Sequence, residues 1–335
     1  MLPLSSQAFV CDPRPDYPLL VTAKRYSLPG YTCEDPDALT LILTHGTGYH
    51  KEQWEPTLEH LFESLAPSRA GEASPVKIRD VWAIDCPNHG DSAVLNEHTL
   101  LWGYDNVLSW EEYARAVHIF LSGLGRGVDV DFSKRKLVGI GHSMGCIALY
   151  VFTTLQRTTQ DHRKHLLPET QLRVLHLRRA DVLPQGSMPP SFSTLLTTGA
   201  EKRRDIFASR EEALSGPRAA RPPDGCYPDK TAGVTLNAQG TGGACYRDHS
   251  NTGRVRAFNY LPTLCAARPV HVVFGAIDDY MYNKQASARR VPGAGHLIVQ
   301  TQPRGLADAI WAILTKPGVE KTSREAISGL AQPFI

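Results

Sequence analysis

Residues 136–145 read KLVGIGHSMG, and this stretch decides the fold. A short apolar run leads into the pentapeptide G-x-S-x-G, with Ser143 at its centre, and an apolar helical pattern follows it. A buried strand, a sharp turn and a helix are the context in which this pentapeptide forms a nucleophile elbow, where a serine hydroxyl stands exposed above the edge of a sheet. Gly141 and Gly145 allow the strand and the helix to approach closely. The stretch therefore predicts a strand–turn–helix unit with Ser143 as a nucleophile.

Length and composition limit the class of protein. The chain has 335 residues, 42% of them hydrophobic, which suits one α/β domain that carries an insertion. Lysine and arginine number 36 against 34 aspartate and glutamate residues, so the net charge of +2 gives no electrostatic reason to expect nucleic acid as a partner. No stretch approaches about 18 uninterrupted apolar residues, so we expect no membrane span.

The cysteines and the chain termini indicate the cellular compartment of the protein. The seven cysteines are widely scattered and show no C-x-x-C or paired metal spacing, so we expect free thiols in a reducing compartment and no metal site. Residues 1–7 lack the basic region and apolar core of a secretory signal. The last four residues, QPFI, are not a peroxisomal Ser-Lys-Leu address. These features favour a cytoplasmic protein.

Short apolar strands alternate with amphipathic helices along both ends of the chain. The predicted strands lie within residues 17–28, 39–43, 81–84, 136–140 and 270–274. A capping box at residues 109–112 opens one helix, and Pro303 begins a final helix. This alternation predicts an α/β protein with a mostly parallel central sheet, helices on both faces, and substrate bound beyond the carboxyl ends of the strands.

The middle of the chain breaks this pattern. Residues 185–262 are rich in Pro, Gly, Arg and Ser, and we interpret them as an inserted cap, with residues 1–184 and 263–335 forming the core. Residues 171–181 should contain the next core strand, yet four basic residues interrupt them, whereas a central parallel strand is nearly all apolar. An edge strand, a locally degenerate strand and an error in the gene model all remain open.

A serine nucleophile requires a base and an acid that orients it. Ser143 needs a histidine to take its proton, and His296 lies in a Gly-rich loop between the last strand and the final helix, where the order Ser, acid, His expects it. Asp278 and Asp279 follow the strand just upstream and are candidates for the acid. Asp181, after the interrupted strand, is the alternative to both.

Acyl transfer also needs hydrogen-bond donors for the oxyanion. The main-chain N–H of Met144, directly after the nucleophile, supplies one, and we expect the second from Thr47 in the loop after the strand that ends at residue 43. Residues proposed to line the substrate pocket in this loop and after it are His45, Gly46, Tyr49 and Trp54. The segment DCPNHGDS at residues 85–92 is interpreted as a buried structural turn that braces the same edge.

Longer strings around these motifs carry a family resemblance. They are AIDCPNHGD at residues 83–91, VGIGHSMG at 138–145 and VPGAGHLIVQ at 291–300. The chain resembles α/β-hydrolase fold proteins, and among them fungal hydrolases of secondary-metabolite and toxin biosynthesis, including the acyl-CoA hydrolases of mycophenolic acid synthesis. The resemblance covers residues 17–152 and 265–315 well and the cap only in patches.

The resemblance implies ester or thioester hydrolysis by a Ser–His–acid triad. Some relatives place the acid after the strand that follows the elbow helix, which keeps Asp181 open. Other relatives are peroxisomal and carry a C-terminal address that this chain lacks, so that compartment is not carried over.

Together these features predict a serine hydrolase that cleaves an acyl ester or acyl-CoA thioester of a hydrophobic metabolite and needs no metal or organic cofactor. The alternatives are a C–C bond hydrolase or lactonase on the same fold, and a ligand-binding homologue without activity. The sequence does not specify an oligomeric state or the natural substrate.

Overall fold

The computed structural model describes residues 4–30, 33–65, 74–104, 107–158, 173–177, 198, 206–207, 234–235, 252–267, 269–277 and 289–315. Strands β1 to β5 are Ser5–Cys11, Val21–Ser27, Leu39–Thr44, Ile78–Ile84 and Lys136–His142. Strands β6 to β10 are Arg173–Leu177, Ile206–Phe207, Val234–Thr235, Val270–Gly275 and Arg289–Val291. The helices α1 to α7 are Glu55–Leu65, Gly90–Gly103, Trp110–Leu121, Met144–Thr158, Thr252–Ala267, Ile298–Thr301 and Pro303–Thr315.

A mostly parallel sheet forms the centre of the molecule. Its eight strands lie in the order β1-β2-β4-β3-β5-β6-β9-β10, while β7 and β8 pair separately. Antiparallel pairing joins β1 to β2 and β2 to β4, and every other neighbouring pair in the sheet is parallel. The carboxyl ends of β3, β4, β5, β6 and β9 therefore meet along one edge of the sheet, as the sequence predicts.

Helices cover the sheet on both faces, which confirms the predicted layers. Buried residues of α3, α4 and α5 form one hydrophobic cluster with Trp82, and those of α1, α6 and α7 form the other with Leu43 and Ile140. The predicted apolar positions of the final helix, from Leu306 to Leu314, are all buried. Each large apolar side chain removed from water in this way contributes about 1.5–3 kcal/mol.

The start of α3 shows a cap that differs in part from the prediction. Ser109 Oγ accepts a hydrogen bond from the Glu111 N–H at 3.2 Å, so it is the N-cap. Glu112 does not complete a reciprocal box, because its carboxylate accepts a hydrogen bond from the Tyr17 hydroxyl at 2.9 Å. The partner of Glu112 is therefore a tertiary contact across 95 residues rather than the helix end.

The interrupted segment forms a strand at the centre of the sheet. β6 pairs in parallel with β5 on one side and β9 on the other, with Val174 opposite both Gly139 and Val270. The interpretation of this segment as an edge strand is therefore wrong. Five residues with parallel partners on both sides suffice to continue the sheet, in spite of the basic residues around them.

Most of the predicted cap, including the short helix expected at residues 209–214, lies outside the described residues. Within the described part, α5 crosses the boundary expected between residues 262 and 263. Ala257, Leu261 and Leu264 of this helix are buried in the same hydrophobic cluster as α3 and α4. Residues 252–262 therefore belong to the helical layer of the core, ahead of the predicted boundary.

Two further expectations can be compared with the described part of the chain. None of its helices is long and apolar enough to cross a membrane. The five cysteines described there are Cys11, Cys33, Cys86, Cys146 and Cys265, and no two of them form a disulfide bond with each other.

Candidate active site

The turn between β5 and α4, called the elbow below, is the sharp turn of the predicted strand–turn–helix unit. Ser143 has φ 52°, and it is the one residue other than glycine with a positive φ in the described part of the chain. Such a left-handed conformation strains an L-residue by about 1–2 kcal/mol. Close packing holds the turn, because a Cβ on Gly145 would lie 2.4 Å from the Thr44 carbonyl oxygen and one on Gly141 would lie 2.7 Å from the Cys146 main chain. The structure thus requires both glycines of the motif.

The loop after β3 lies directly against the elbow. A Cβ on Gly46 would stand 2.8 Å from His142 Nδ1 and 3.3 Å from the Ser143 Cβ, so no side chain fits at that position. The Thr44 hydroxyl donates a hydrogen bond to the Gly145 carbonyl oxygen at 2.9 Å. These contacts fix the distance between the loop and the serine.

His296 reaches the same edge through its main chain. The His142 Nε2–H donates a hydrogen bond to the His296 carbonyl oxygen at 2.9 Å, and the two imidazole rings lie 5.3 Å apart between centroids. The loop that carries His296 is tied to the end of β9, because the Ile277 N–H donates to the Ala294 carbonyl oxygen at 2.8 Å. His142 therefore supports the elbow and joins it to the histidine loop.

The three candidate acids, Asp278, Asp279 and Asp181, lie outside the described residues. Ile277, the last described residue after β9, precedes Asp278 directly and is hydrogen-bonded into the histidine loop. Leu177, the last residue of β6, pairs with both His142 and Val273 in the sheet. Both routes to an acid thus leave the sheet at the edge where Ser143 lies.

Met144 follows the serine directly, and Thr47 follows Gly46, which lies against the serine. Met144 is the first residue of α4, and the first N–H groups of a helix have no partner within the helix. Thr47 follows Gly46 and is half-buried, and no main-chain hydrogen bond among the described residues uses its N–H. Its hydroxyl is enclosed and also without a partner in that part of the chain. Both N–H groups are thus available in the described part of the chain, and their role as oxyanion donors stays a prediction.

The structure corrects two of the four predicted pocket residues. Trp54 is fully buried in the hydrophobic cluster around α1 and α7, so it packs in the core and does not line a pocket. His45 is also fully buried, and both of its ring nitrogens are used by the main chain. Gly46 lies against the serine, and Tyr49 is half-buried in the same loop.

Two buried imidazoles hold this loop to the turn after β4. The Cys86 N–H donates to His45 Nε2 at 3.0 Å, and the Gly48 N–H donates to His89 Nε2 at 3.0 Å. Both rings must therefore be neutral, with the proton on Nδ1. Burial first, and then neighbouring His89, holds the pKa of His45 well below its ordinary value, and burial lowers the pKa of His89 to about 3.

A buried ion pair ties the far end of the loop to the same turn. Lys51 is 1% exposed, and its main-chain N–H and its Nζ donate to the two oxygens of Asp85 at 2.7 and 2.8 Å. Its Nζ also donates to Asp91 at 2.6 Å. Burial alone would lower the pKa of Lys51, but Asp85, Glu52 and Asp91 raise it above its ordinary value. Gly90 leaves the space for Asp85, because a Cβ there would lie 2.4 Å from Asp85 Oδ2.

The sequence indicated only part of this support. The DCPNHGDS segment is a buried turn that braces the site, as predicted, but Lys51 and Tyr113 were missed. Tyr113 accepts a hydrogen bond from the His45 N–H at 3.1 Å and donates one to the Ile84 carbonyl oxygen at 2.7 Å. Lysine is almost never fully buried, and Tyr113 matches an ordinary apolar helix position. Neither residue therefore gave a signal in the sequence.

Comparison with known proteins identifies the family. A family model described as alpha/beta hydrolase family matches residues 41–309, which is most of the chain. This chain belongs to the α/β hydrolase family. The matched range includes the elbow, the loop after β3 and His296.

Individual relatives of this α/β hydrolase include a fungal enzyme. The type I acyl-CoA thioesterase mpaH of Penicillium brevicompactum is 32% identical over 188 residues, which cover 55% of this chain and 36% of that protein. The chain thus spans little more than a third of the length of this curated relative. The match agrees with the resemblance to fungal hydrolases found in the sequence.

Solved structures of other α/β hydrolases share the fold. The peroxisomal alpha-beta-hydrolase Lpx1 of Saccharomyces cerevisiae superposes with a TM-score of 0.58 at 19% identity, over 99% of each chain. An esterase of Thermogutta terrifontis superposes with a TM-score of 0.51 at 15% identity, over 92% of this chain and 98% of its own. At these identities the likeness concerns the fold alone.

Proposed function

We propose that this chain is a serine hydrolase that cleaves an acyl ester or an acyl-CoA thioester of a hydrophobic metabolite. Ser143 Oγ attacks the carbonyl carbon while His296 takes the hydroxyl proton and passes it to the departing alcohol or thiol. Water, activated by His296, then hydrolyses the acyl-enzyme. The main-chain N–H groups of Met144 and Thr47 stabilise the negative charge that develops on the carbonyl oxygen.

The observation that carries the proposal is the strained conformation of Ser143. A positive φ at a residue other than glycine persists only where the surrounding structure enforces it, and such strain concentrates at functional sites. Here Gly46 lies against the Ser143 Cβ, and the His296 main chain is hydrogen-bonded to the preceding residue. These contacts support the proposal that the nucleophile, the base and the oxyanion donors act together on one carbonyl group.

Asp278 is our candidate for the acid that orients His296. The support is its place in the chain, because it follows Ile277 directly, and Ile277 is hydrogen-bonded to the loop two residues before His296. Asp279 and Asp181 are the alternatives, the latter four residues beyond the end of β6. An aspartate in this role would hold the imidazole in one tautomer and stabilise its charged form.

The acyl-CoA or ester substrate is proposed from the relatives and not from a pocket. The fungal relative is described as an acyl-CoA thioesterase, and the same catalytic groups serve oxygen esters and thioesters. The leaving group, alcohol or thiol, is therefore the property that separates an esterase from a thioesterase on this fold. No nucleic acid partner is proposed.

Hydrolysis by the wild type and by Ser143→Ala, side by side, tests the proposal. The panel is p-nitrophenyl esters of several chain lengths and acyl-CoAs of matching length, and a fluorophosphonate probe reports a nucleophilic serine. We expect turnover to fall about 10⁵- to 10⁶-fold in Ser143→Ala, with probe labelling lost. Equal activity in both proteins, or no activity and no labelling in the wild type, would contradict the triad.

Three further variants identify the acid. Asp278→Asn, Asp279→Asn and Asp181→Asn each remove one carboxylate while keeping size and polarity. We expect about a 10⁴-fold loss of kcat for Asp278→Asn, since a misplaced tautomer disables the base, and small effects for the other two. A large loss confined to Asp181→Asn would move the acid to the turn after β6.

A C–C bond hydrolase or lactonase on the same fold would also need the serine. Such an enzyme would still be labelled by the probe but would leave both acyl panels untouched. A ligand-binding homologue without activity would neither be labelled by the probe nor hydrolyse either acyl panel. The two readouts therefore separate the proposed function from each of its alternatives.

A further inference from the structure

A cavity lies at the opposite end of the sheet from Ser143. It has a volume of about 330 Å³, and its lining includes Arg25, Arg79 and Arg135, together called the arginine pocket below. Arg135 immediately precedes β5, while Ser143 immediately follows it. Seven strand residues at about 3.3 Å each separate the two by more than about 20 Å, so the arginine pocket is not part of the candidate active site.

Two of the three arginines share a single buried carboxylate. Arg135 Nη1 donates to Asp80 Oδ2 at 2.8 Å, and Arg25 Nε lies 3.0 Å from the same oxygen. The side chain of Asp80 is fully buried and also accepts a hydrogen bond from the Thr40 hydroxyl at 2.8 Å. One negative charge is therefore shared by two of the positive charges that line the pocket.

The third arginine has no such partner. Arg79 has no carboxylate within salt-bridge distance among the residues that the structure describes, and its Nη2 donates to the main-chain oxygen of Asp35 at 2.8 Å. Its Nε is enclosed and has no hydrogen-bond partner in the described part. Arg25 and Arg135 have a structural role, because they pair with the buried carboxylate of Asp80. That role does not extend to Arg79, although it lines the same cavity.

Two lysines at this end of the sheet form ion pairs outside the cavity lining. Lys77 contacts Asp35, and Lys136 contacts Asp37, so these pairs cancel. The cavity itself is lined by the three guanidinium groups, one carboxylate from Glu34, and hydroxyl groups that include those of Ser6 and Ser27. Donors of hydrogen bonds and positive charge therefore predominate, which is the chemistry that binds an oxyanion.

We propose that the arginine pocket binds the phosphate or diphosphate group of a small molecule. The three guanidinium groups come from β2, β4 and the residue before β5, and each carries five N–H groups, of which the contacts above use only some. The remaining N–H groups can donate hydrogen bonds to phosphate oxygens. A cavity of about 330 Å³ holds a phosphate or diphosphate with a small organic group attached. This proposal does not depend on the catalytic role of Ser143.

Titration calorimetry with inorganic pyrophosphate, and separately with inorganic phosphate, tests the proposal on the full chain. Arg79→Gln removes the unpaired guanidinium group at a half-buried position, and we expect it to weaken binding about 10- to 100-fold. Lys134→Gln is the matched control: it removes one positive charge from the same end of the sheet, at a side chain 82% exposed and outside the pocket. It should change the affinity by less than about 2-fold.

Two further variants separate the effect of charge from that of guanidinium geometry, and the arginine pocket from the candidate active site. Arg79→Lys retains the charge but loses the fork, so it should bind more weakly than the wild type and more tightly than Arg79→Gln. Ser143→Ala should bind pyrophosphate as the wild type does. Absence of wild-type binding at millimolar pyrophosphate overturns the proposal, as does an equal loss in Arg79→Gln and Lys134→Gln, which would indicate diffuse charge attraction. Circular dichroism of each variant confirms that it is folded.

Discussion

The two ends of the sheet differ in whether their basic side chains are paired with carboxylates. At the carboxyl end, Lys51 is surrounded by carboxylates, and His45 and His89 are kept neutral by burial. At the amino end, Arg79 has no carboxylate partner among the described residues and faces a cavity. The contacts at the carboxyl end therefore fix the position of the loop after β3. The amino end, in contrast, keeps a positive charge that can bind an anionic ligand.

Removing one positive charge from each end should give the largest contrast. Lys51→Met leaves Asp85 buried without its ion-pair partner, so we expect the free energy of unfolding to fall by about 3–5 kcal/mol. Arg79→Gln removes a half-buried cation that pairs with no described carboxylate, and it should change stability by less than about 1 kcal/mol. Urea denaturation of the two variants and the wild type measures both. An equal fall in the free energy of unfolding in both variants would mean that the two basic side chains contribute equally to stability.

Acid should destabilise the protein through the carboxyl end. The folded-state pKa of His89 is lowered to about 3, against about 6.5 for an unperturbed histidine. Its contribution to stability is therefore complete above about pH 6.5 and is lost as the pH falls toward 3, at about 1.4 kcal/mol per pH unit.

His45 acts in the same direction, while the arginines of the other end keep their charge throughout this range. Urea denaturation between pH 4 and pH 7 measures the slope. His89→Asn, which keeps an acceptor for the Gly48 N–H, should lower the slope by about 1.4 kcal/mol per pH unit. An unchanged slope in that variant would show that His89 is not the group being protonated.

Close packing at the carboxyl end should make Gly46 intolerant of a methyl group. In Gly46→Ala the new Cβ meets His142 and the Ser143 Cβ, so the loop must move away from the serine, and we expect kcat to fall about 10- to 100-fold. Gly103→Ala is the control, because nothing lies within 4 Å of a Cβ at that position. Steady-state hydrolysis of the preferred ester measures both variants. A Gly46→Ala enzyme with wild-type kcat would contradict the proposed position of the oxyanion donors.

The smallest expected effect concerns the strain at the elbow. Ser143→Gly and Ser143→Ala both remove the nucleophile, but only glycine adopts φ 52° without penalty. We expect Ser143→Gly to be slightly more stable than Ser143→Ala, because the strain relieved, about 1–2 kcal/mol, exceeds the cost of about 0.4–1 kcal/mol from the greater entropy of glycine in the unfolded chain. Thermal unfolding of the two inactive proteins measures the difference. Equal stability would mean that the turn is not strained.

Sequence reasoning succeeded where the signal is local. The elbow glycines, the apolar strands and the register of the final helix follow from spacing alone, and the structure confirms them. His45 and Trp54 were misplaced because a loop position in sequence does not reveal which way a side chain is buried. Trp54 belongs to a 3-10 helix, Lys51–Trp54, whose inner side joins the core.

The parts that the sequence did not predict depend on contacts between distant residues. Glu112 was predicted to be part of a helix cap and instead pairs with Tyr17, and nothing in the sequence linked Lys51 to Asp85, with which it pairs. The arginines of the amino end lie 54 residues or more apart in the chain, and a net charge of +2 gives no sign of their grouping. Such pairs become visible only when the sheet order is known.

Because His296 follows Ser143 by more than 150 residues, the ribosome makes the proposed base well after the proposed nucleophile. The hydrogen bond from His142 to His296 spans 154 residues, and β9 inserts beside β6 only after the whole intervening segment has been made. At about 5–20 residues per second, a ribosome needs roughly 8–30 s to travel from the serine to the histidine. During that interval the nascent chain carries the proposed nucleophile without its base. The proposed enzyme is thus inert toward acyl compounds around the ribosome until its last strands have docked.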